Sequence, residues 1–327
     1  LAQLGPGRQR RAEVVSPGEP RSQGAAERPW RDRLARPLLI AVPYGWLALF
    51  FLVPFAIVLK ISLSETAIAQ PPFLPLARLV DEGGFWFLEL RLNLSNYLLL
   101  IEDSLYARAY LNSLRIAALS TLLALLVGFP MAYGMARAPA RWRPLLLMLV
   151  ILPFWTSFLI RVYAWIGILK DEGLLNLLLH RAGVITAPLV VYNTEIAVHI
   201  GIVYSYLPFM ILPLYANLER HDPSLIEAAV DLGCPPWRAF WVVTLPLAVP
   251  GIVAGCFLVF IPAVGEFVIP DLLGGSSTVM IGRTLWQEFF SNRDWPVASA
   301  VAVVLLLLLV VPIALFQRQQ AQRTVAR

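Results

Sequence analysis

Residues Asp222 to Pro246 read Asp-Pro-Ser-Leu-Ile-Glu-Ala-Ala-Val-Asp-Leu-Gly-Cys-Pro-Pro-Trp-Arg-Ala-Phe-Trp-Val-Val-Thr-Leu-Pro, between two apolar stretches and too polar to be a third. Asp222 before Pro223 is an N-cap followed by proline at the first helical position, while Ser224 and Glu227 have capping-box spacing, so a helix starts here on either register. Gly233 stops it. Pro235 and Pro236 just beyond restart the chain as a second helix that carries Trp237 to Val243 into the next apolar stretch. The expected product is a short helix, a sharp turn and a second helix. Ala228 and Ala229 follow Glu227, and small side chains let a helix lie close in another protein's groove, so this stretch is expected to dock on a partner outside the membrane.

The composition says which membrane question to ask. The chain has 327 residues, of which 58% are hydrophobic and 14% charged, with a mean hydropathy of +0.70. Soluble domains are about a quarter charged, so this is a multispanning membrane protein. A net charge of +5 would point to nucleic acid in a soluble chain; here the question is on which side of the bilayer the basic residues lie, and no nucleic-acid partner is expected. Cys234 in the polar stretch and Cys256 in an apolar one make neither a disulfide framework nor a zinc spacing.

A spanning helix needs about 20 mostly apolar residues. Six places fit: roughly 38–59, 114–136, 145–169, 195–218, 247–270 and 297–316. The expected fold class is therefore an all-α membrane protein of six transmembrane helices with both termini on one side. Residues 1–36 hold eight arginines among Gly, Pro, Ser, Gln and Ala, and read as a disordered cytoplasmic tail. No apolar signal core with a small-residue cleavage site precedes the first long span, and Leu1 in place of methionine points to a truncated or misassigned start. With this tail inside, sixteen basic residues fall on the inner side against nine outside, counting Arg115 at the outer end of the second span, which places the termini and the 222–246 loop in the cytoplasm. The chain divides into the tail, a first span with a long external segment over 37–113, a core over 114–316 and a cytoplasmic tail over 317–327.

The external segment mixes Gly83-Gly84, prolines and acids with amphipathic pieces such as Phe85 to Leu94. It reads either as a receiver for an outside partner or as a helical hairpin lying on the lipid surface. The outside segments carry a net charge of −2, which favours cations weakly. Prolines 153, 208, 213, 262 and 270 fall within or at the ends of spans and suit helices that bend around a path.

Some chemistry is missing. A phosphate-binding loop needs lysine before Ser or Thr, but the two lysines precede Ile61 and Asp171, so nucleotide hydrolysis of that type must come from another chain. His180, His199 and His221 lie far apart without a metal-binding or nucleophile motif, and a membrane enzyme is disfavoured.

Charges within spans are functional candidates by default. Arg161, Glu195, Glu266 and Asp271 share the external half. One reading pairs Arg161 with Glu266 to fix helix packing and leaves Glu195 and Asp271 solvated; the other makes an acidic vestibule in which Glu266 and Asp271 meet an ammonium group. Trp155, Tyr163, Trp165, Tyr204 and Tyr206 are then either cation-π surfaces or members of the interfacial aromatic belt. Arg161 fits better as an orienting partner for a carboxylate than as a ligand. Gly265, Gly274 and Gly275 allow a helix break along a substrate path or a packing notch.

Glu227, Ala228, Ala229, Gly233, Val243, Leu245 and Pro246 resemble the EAA motif of ABC importer permeases, with Val243 where isoleucine is usual. The segments Trp155 to Trp165, Ile261 to Asp271 and Met280 to Phe290 look like those of polyamine permease subunits of the putrescine type, and the likeness runs from about Pro37 to Phe316. The resemblance implies a type I importer of the bacterial inner membrane. This subunit, itself in contact with membrane lipid, would pair with a second homologous permease, two cytoplasmic ATPase subunits and a periplasmic polyamine-binding protein. It would bind no cofactor itself, ATP and Mg residing on the ATPase. Glu227, Ala228, Ala229, Asp231 and Gly233 would then couple to the ATPase. Rival readings are a binding-protein-dependent importer of another substrate and an ion-coupled secondary carrier, which would work without an ATPase.

Overall fold

The computed structural model describes residues 30–82, 85–276 and 278–325, with side chains left out at 30–38, 77–90, 312 and 315–325. The expected disordered tail lies outside the described residues as far as residue 29. From Trp30 the chain is helical, as α1 (Trp30–Leu47), so the expected boundary at 36 is corrected: arginine and leucine are good helix formers and extend the span toward the N-terminus.

The chain forms two compact units, one ending at Pro54 and one starting at Phe55. In the first, α1 runs through a π turn at Ala48–Leu52 into α2 (Val53–Ser62). Trp46 and Phe50 lie one turn apart with ring centroids 4.2 Å from each other. None of the apolar window in Leu39–Ser62 is buried within the protein. A helix apolar on all sides is one built for lipid or for another protein's apolar surface.

The second unit begins with the end of α2. A hairpin follows, β1 (Ala77–Glu82) against β2 (Phe85–Leu90), antiparallel with Ala77 opposite Leu90 and Glu82 opposite Phe85. The helical hairpin considered for this stretch is thus replaced by strands, in keeping with the aromatic run Phe85, Trp86 and Phe87 in the second segment and Val80 in the first, residue types that favour a strand. Asn96 in α3 (Ser95–Glu102) ties the segment down, its amide nitrogen donating to Ser62 O and Ser64 O, both at 2.9 Å.

Three long helices make the centre: α4 (Ser104–Arg137), α8 (Glu195–Leu218) and α11 (Leu245–Val264). Met210 of α8 fills the gap between two glycines, Gly128 of α4 and Gly255 of α11; a Cβ at either would sit 2.9 or 2.8 Å from its side chain. Small residues at such crossings let backbones approach where lipid supplies no hydrophobic drive.

Among the described residues four helices are long and apolar enough to cross a membrane: Leu39–Ser62, Ser104–Arg137, Glu195–Leu218 and Pro236–Val264. The third expected span, 145–169, is not one straight helix. It divides into α5 (Arg143–Ile151), a 3-10 turn at Leu152–Trp155 and α6 (Phe158–Leu169), and the helical pairs on either side of the break differ in direction by 90°. Pro153 lacks an N–H for the helix ladder, and Thr156 bends back to donate its hydroxyl to Pro153 O at 2.7 Å. After the turn α6 gives way to α7 (Leu174–Arg181). Trp295–Val311, the apolar part of α14 (Trp295–Val325), falls just short of a full crossing length, and its helix runs on through most of the expected 317–327 tail.

The fifth span is shifted. Expected over 247–270, it starts at Pro236, passes a π turn at Phe240–Thr244 just before Pro246, and stops at Val264. Gly265 ends it, and α12 (Val268–Leu273) then packs beside the first turns of α8, Ile269 and Leu273 lying 2.8 Å from where a Cβ on Gly201 would be. Since α8 leads at its other end into the 222–246 loop, α12 and that loop occupy opposite ends of the bundle.

Candidate functional site

The polar loop folds as α9 (Ser224–Asp231), the turn through Gly233, and α10 (Pro236–Ala239). At its start Asp222 wins over the capping-box register: its carboxylate accepts the Ser224 N–H at 2.9 Å, and this backbone bond, aided by the Ser224 side chain, holds its pKa below the ordinary carboxylate value. At its end Cys234 N–H donates to Ala229 O at 3.0 Å and Gly233 N–H to Val230 O at 2.9 Å, with Gly233 at φ +83°. That is a Schellman close, which requires the left-handed residue that glycine supplies. None of the eight residues of α9 is buried. Glu227, Ala228 and Asp231 are exposed and Ala229 is half-covered. Around them Leu232 is 89% and Trp237 69% exposed, so the loop presents apolar surface that the rest of the chain leaves uncovered.

The root of this loop is firm. Arg143, at the start of α5, donates from Nε to Ala138 O at 2.9 Å and pairs through Nη1 with Glu219 at 3.3 Å, tying α5 to the end of α8. A cavity of about 510 Å³ lies beneath α9, lined by Arg137, Arg143, Glu219, Asp222 and Glu227 among others.

At the other end Glu266 and Arg161 line one cavity of about 430 Å³ with Phe154, Phe158, Tyr206 and Phe209. The ion pair considered for them does not form; among the described residues no nitrogen of Arg161 comes within 4.0 Å of an acidic oxygen. Glu266 is occupied elsewhere. Its Oε1 accepts the N–H groups of Val268 at 3.0 Å and Ile269 at 3.4 Å, and its Oε2 accepts the Tyr206 hydroxyl. The break after Gly265 frees the first amides of α12, and a carboxylate at that point satisfies them. Arg161 is 9% exposed, with Nε and Nη1 lacking any hydrogen-bond partner. Its guanidinium lies 5.2 Å from the Phe154 ring centre and 5.7 Å from that of Phe158.

The other path candidates do not gather there. Asp271 pairs with Arg283 of α13 (Ile281–Trp286), Oδ1 to Nε at 3.0 Å, while Arg283 Nη1 donates to Gly275 O at 2.7 Å. Tyr204 meets Trp165 edge-on at 5.4 Å and lines an apolar cavity of about 480 Å³ between α4, α5 and α8. Trp155 is 85% and Tyr163 58% exposed. Glu195 is not simply solvated: it pairs with Arg115 and stands 3.3 Å from His199, whose Nδ1 meets Ser120 Oγ at 2.8 Å. Among the described residues no three His, Cys, Asp or Glu side chains converge as a metal site.

The geometry is that of a lipid-spanning bundle with a rooted, uncovered helix at one end and a charged cavity near the other. Residues 124–325 match the model of the binding-protein-dependent transport system inner membrane component. The chain belongs to this family. It is a multi-pass inner-membrane permease subunit, a transport component and not an enzyme. The permease is 41% identical over 281 residues to the spermidine/putrescine transport system permease protein PotB of Haemophilus influenzae, covering 86% of this chain and 92% of that one. Its identity to PotB of Escherichia coli is 40% over 267 residues, or 82% and 91% of the two chains. A molybdenum transport system permease protein, ModB of Mycobacterium bovis, is 32% identical over 243 residues, 73% of this permease and 84% of ModB. In fold, the permease resembles a chain of a bacterial ABC transporter involved in the import of alginate, with TM-score 0.65 and 18% identity over 91% of this chain and 99% of that one.

Proposed function

We propose that this permease is half of the membrane path of an ATP-driven polyamine importer, with α9 as the handle on which a cytoplasmic ATPase pulls. The observation that carries the coupling role is the state of α9: closed at its start by Asp222 and at its end by the turn through Gly233, rooted beside the Arg143 to Glu219 pair, and without a buried residue along its length. A rigid element of that kind transmits force, whereas a frayed loop would absorb it. ATP and Mg belong to the partner ATPase, and both termini of the permease share its side of the membrane. A second homologous permease completes the path, and a periplasmic binding protein delivers the substrate.

The polyamine assignment is supported by the identity to permeases named for spermidine and putrescine, which spans most of both chains. Putrescine is the proposed substrate, with spermidine, a longer polycation of the same chemistry, as the second. Coupling follows if the ATP-bound ATPase prefers the loop in one of two permease conformations, because the preference is reciprocal and binding energy on one face then shifts access on the other.

The test is reconstitution of the permease with its second permease subunit, ATPase and binding protein in lipid vesicles. Putrescine or spermidine is expected to stimulate ATP hydrolysis and to accumulate inside the compartment facing α9. Stimulation by molybdate with none by either polyamine would overturn the substrate assignment. Transport by the permease pair without the ATPase would overturn the coupling role.

A further inference from the structure

A polycation path is an unfavourable place for a free guanidinium, yet Arg161 supplies one. Two of its nitrogens are buried without a partner, and the carboxylate in its cavity is held by Tyr206 and the first amides of α12. The flanking Phe154 and Phe158 rings attract the cation from the side but accept no hydrogen bond in the plane of the guanidinium. Burying a charge without a charge partner is costly, and removing that cost takes an acceptor with two oxygens set for the guanidinium fork. Lipid tails offer none. The outer side of α6 beside Arg161 is uncovered and apolar, with Ile160 66% and Leu159 49% exposed, so a protein surface rather than bulk water suits it.

We propose that Arg161 is the receptor for a carboxylate that the second permease subunit inserts into the cavity between α6, α8 and the break after α11. This rests on the reading of the chain as one of two paired permeases. The inserted acid neutralises Arg161 and seals the two subunits beside the path, so that a cation crossing the cavity meets a paired charge rather than a bare one. Arg161 is thereby a positioning residue for the pair of permeases and makes no contact with substrate.

The experiment uses the assembled transporter in detergent, without substrate or ATP, and measures how much second permease subunit is retained on this chain through wash steps. Arg161→Gln is expected to lower retention at least tenfold, with Arg161→Lys intermediate because an ammonium lacks the planar fork. Among variants that change one span acid of the second subunit to Gln, one should reproduce the loss and add nothing to Arg161→Gln. Exchanging the charges, Arg161→Glu with that acid changed to Arg, should restore retention. Wild-type retention by Arg161→Gln would overturn the proposal, as would coupling of Arg161 to Glu266 of its own chain with no acid of the second subunit involved. Retention does not depend on substrate identity, so failure of the polyamine assignment would leave this result intact and separately readable.

Discussion

Tyr206 of α8 donates its hydroxyl to Glu266 at the break between α11 and α12, so one carboxylate joins a central helix to the first turn of α12. Glu266→Gln replaces the oxygen facing the Tyr206 hydroxyl by an amide NH₂, so one donor of that pair loses its acceptor, a loss of about 1–3 kcal/mol. Tyr206→Phe removes a single donor and should cost less. For Glu266→Gln we expect substrate-stimulated ATP hydrolysis to fall several-fold while basal hydrolysis holds, measured on the reconstituted transporter. An equal loss of both would make the contact structural only.

Gly282 of α13 lies against that same break. A Cβ there would collide with the carbonyl oxygen of Gly265 and stand 2.6 Å from that of Glu266, and backbone cannot turn aside as a side chain does. Gly282→Ala should therefore destabilise the protein by about 1–3 kcal/mol, the usual cost of overpacking. Gly134→Ala, whose Cβ would meet nothing within 4 Å on helix α4, should not destabilise it and should raise stability by up to about 1 kcal/mol. Thermal unfolding of the purified variants in detergent compares them directly.

The loop at 222–246 was the legible part of this chain because its instructions are local. Asp222, Pro223, Gly233 and Pro235 each fix backbone geometry within a few residues, and the structure follows them to the Schellman bond at Cys234. Four of the six apolar stretches were legible as long apolar helices among the described residues, but their ends were not. Hydropathy over 145–169 does not register the bend that Pro153 and Thr156 impose, and it starts the fifth span at 247 although helix continues from Pro236. Gly83-Gly84 between two β-prone runs was a hairpin signal that the amphipathic reading of Phe85 to Leu94 passed over. Side-chain pairing across the fold was out of reach. That Asp271 meets Arg283, that Glu195 meets Arg115 and His199, and that Tyr206 takes Glu266 away from Arg161 depends on how helices pack, which residue spacing does not encode.

Gly233 sits at φ +83°, where a Cβ costs about 1–2 kcal/mol. Gly233→Ala should loosen the end of α9 and lower uptake partially. Gly233→Pro should abolish it, since proline fixes φ near −65° and removes the N–H that Val230 O accepts. Membrane insertion of both should equal wild type by fractionation. Full uptake by Gly233→Pro would show that the turn is not part of the coupling.

The Asp222 cap titrates in a known direction. Its folded pKa lies below that of the unfolded chain, so its contribution is fully present above the ordinary aspartate value of about 4 and is lost as pH falls through the lower folded value. Amide exchange in the first turn of α9 should stay slow near neutrality and quicken, beyond the intrinsic pH trend, only in that acid window. Asp222→Asn keeps an acceptor and should remove this extra pH dependence.

Ala228 is exposed on α9, which makes it the place to ask whether this helix is a cytoplasmic handle. With Cys234→Ser and Cys256→Ala as background, Ala228→Cys can be treated with a membrane-impermeant maleimide on vesicles of either orientation, with and without the bound ATPase. The account predicts labelling only when the cytoplasmic face is outward, and protection when the ATPase is bound. Labelling from the periplasmic face, or labelling that the ATPase does not slow, would contradict it.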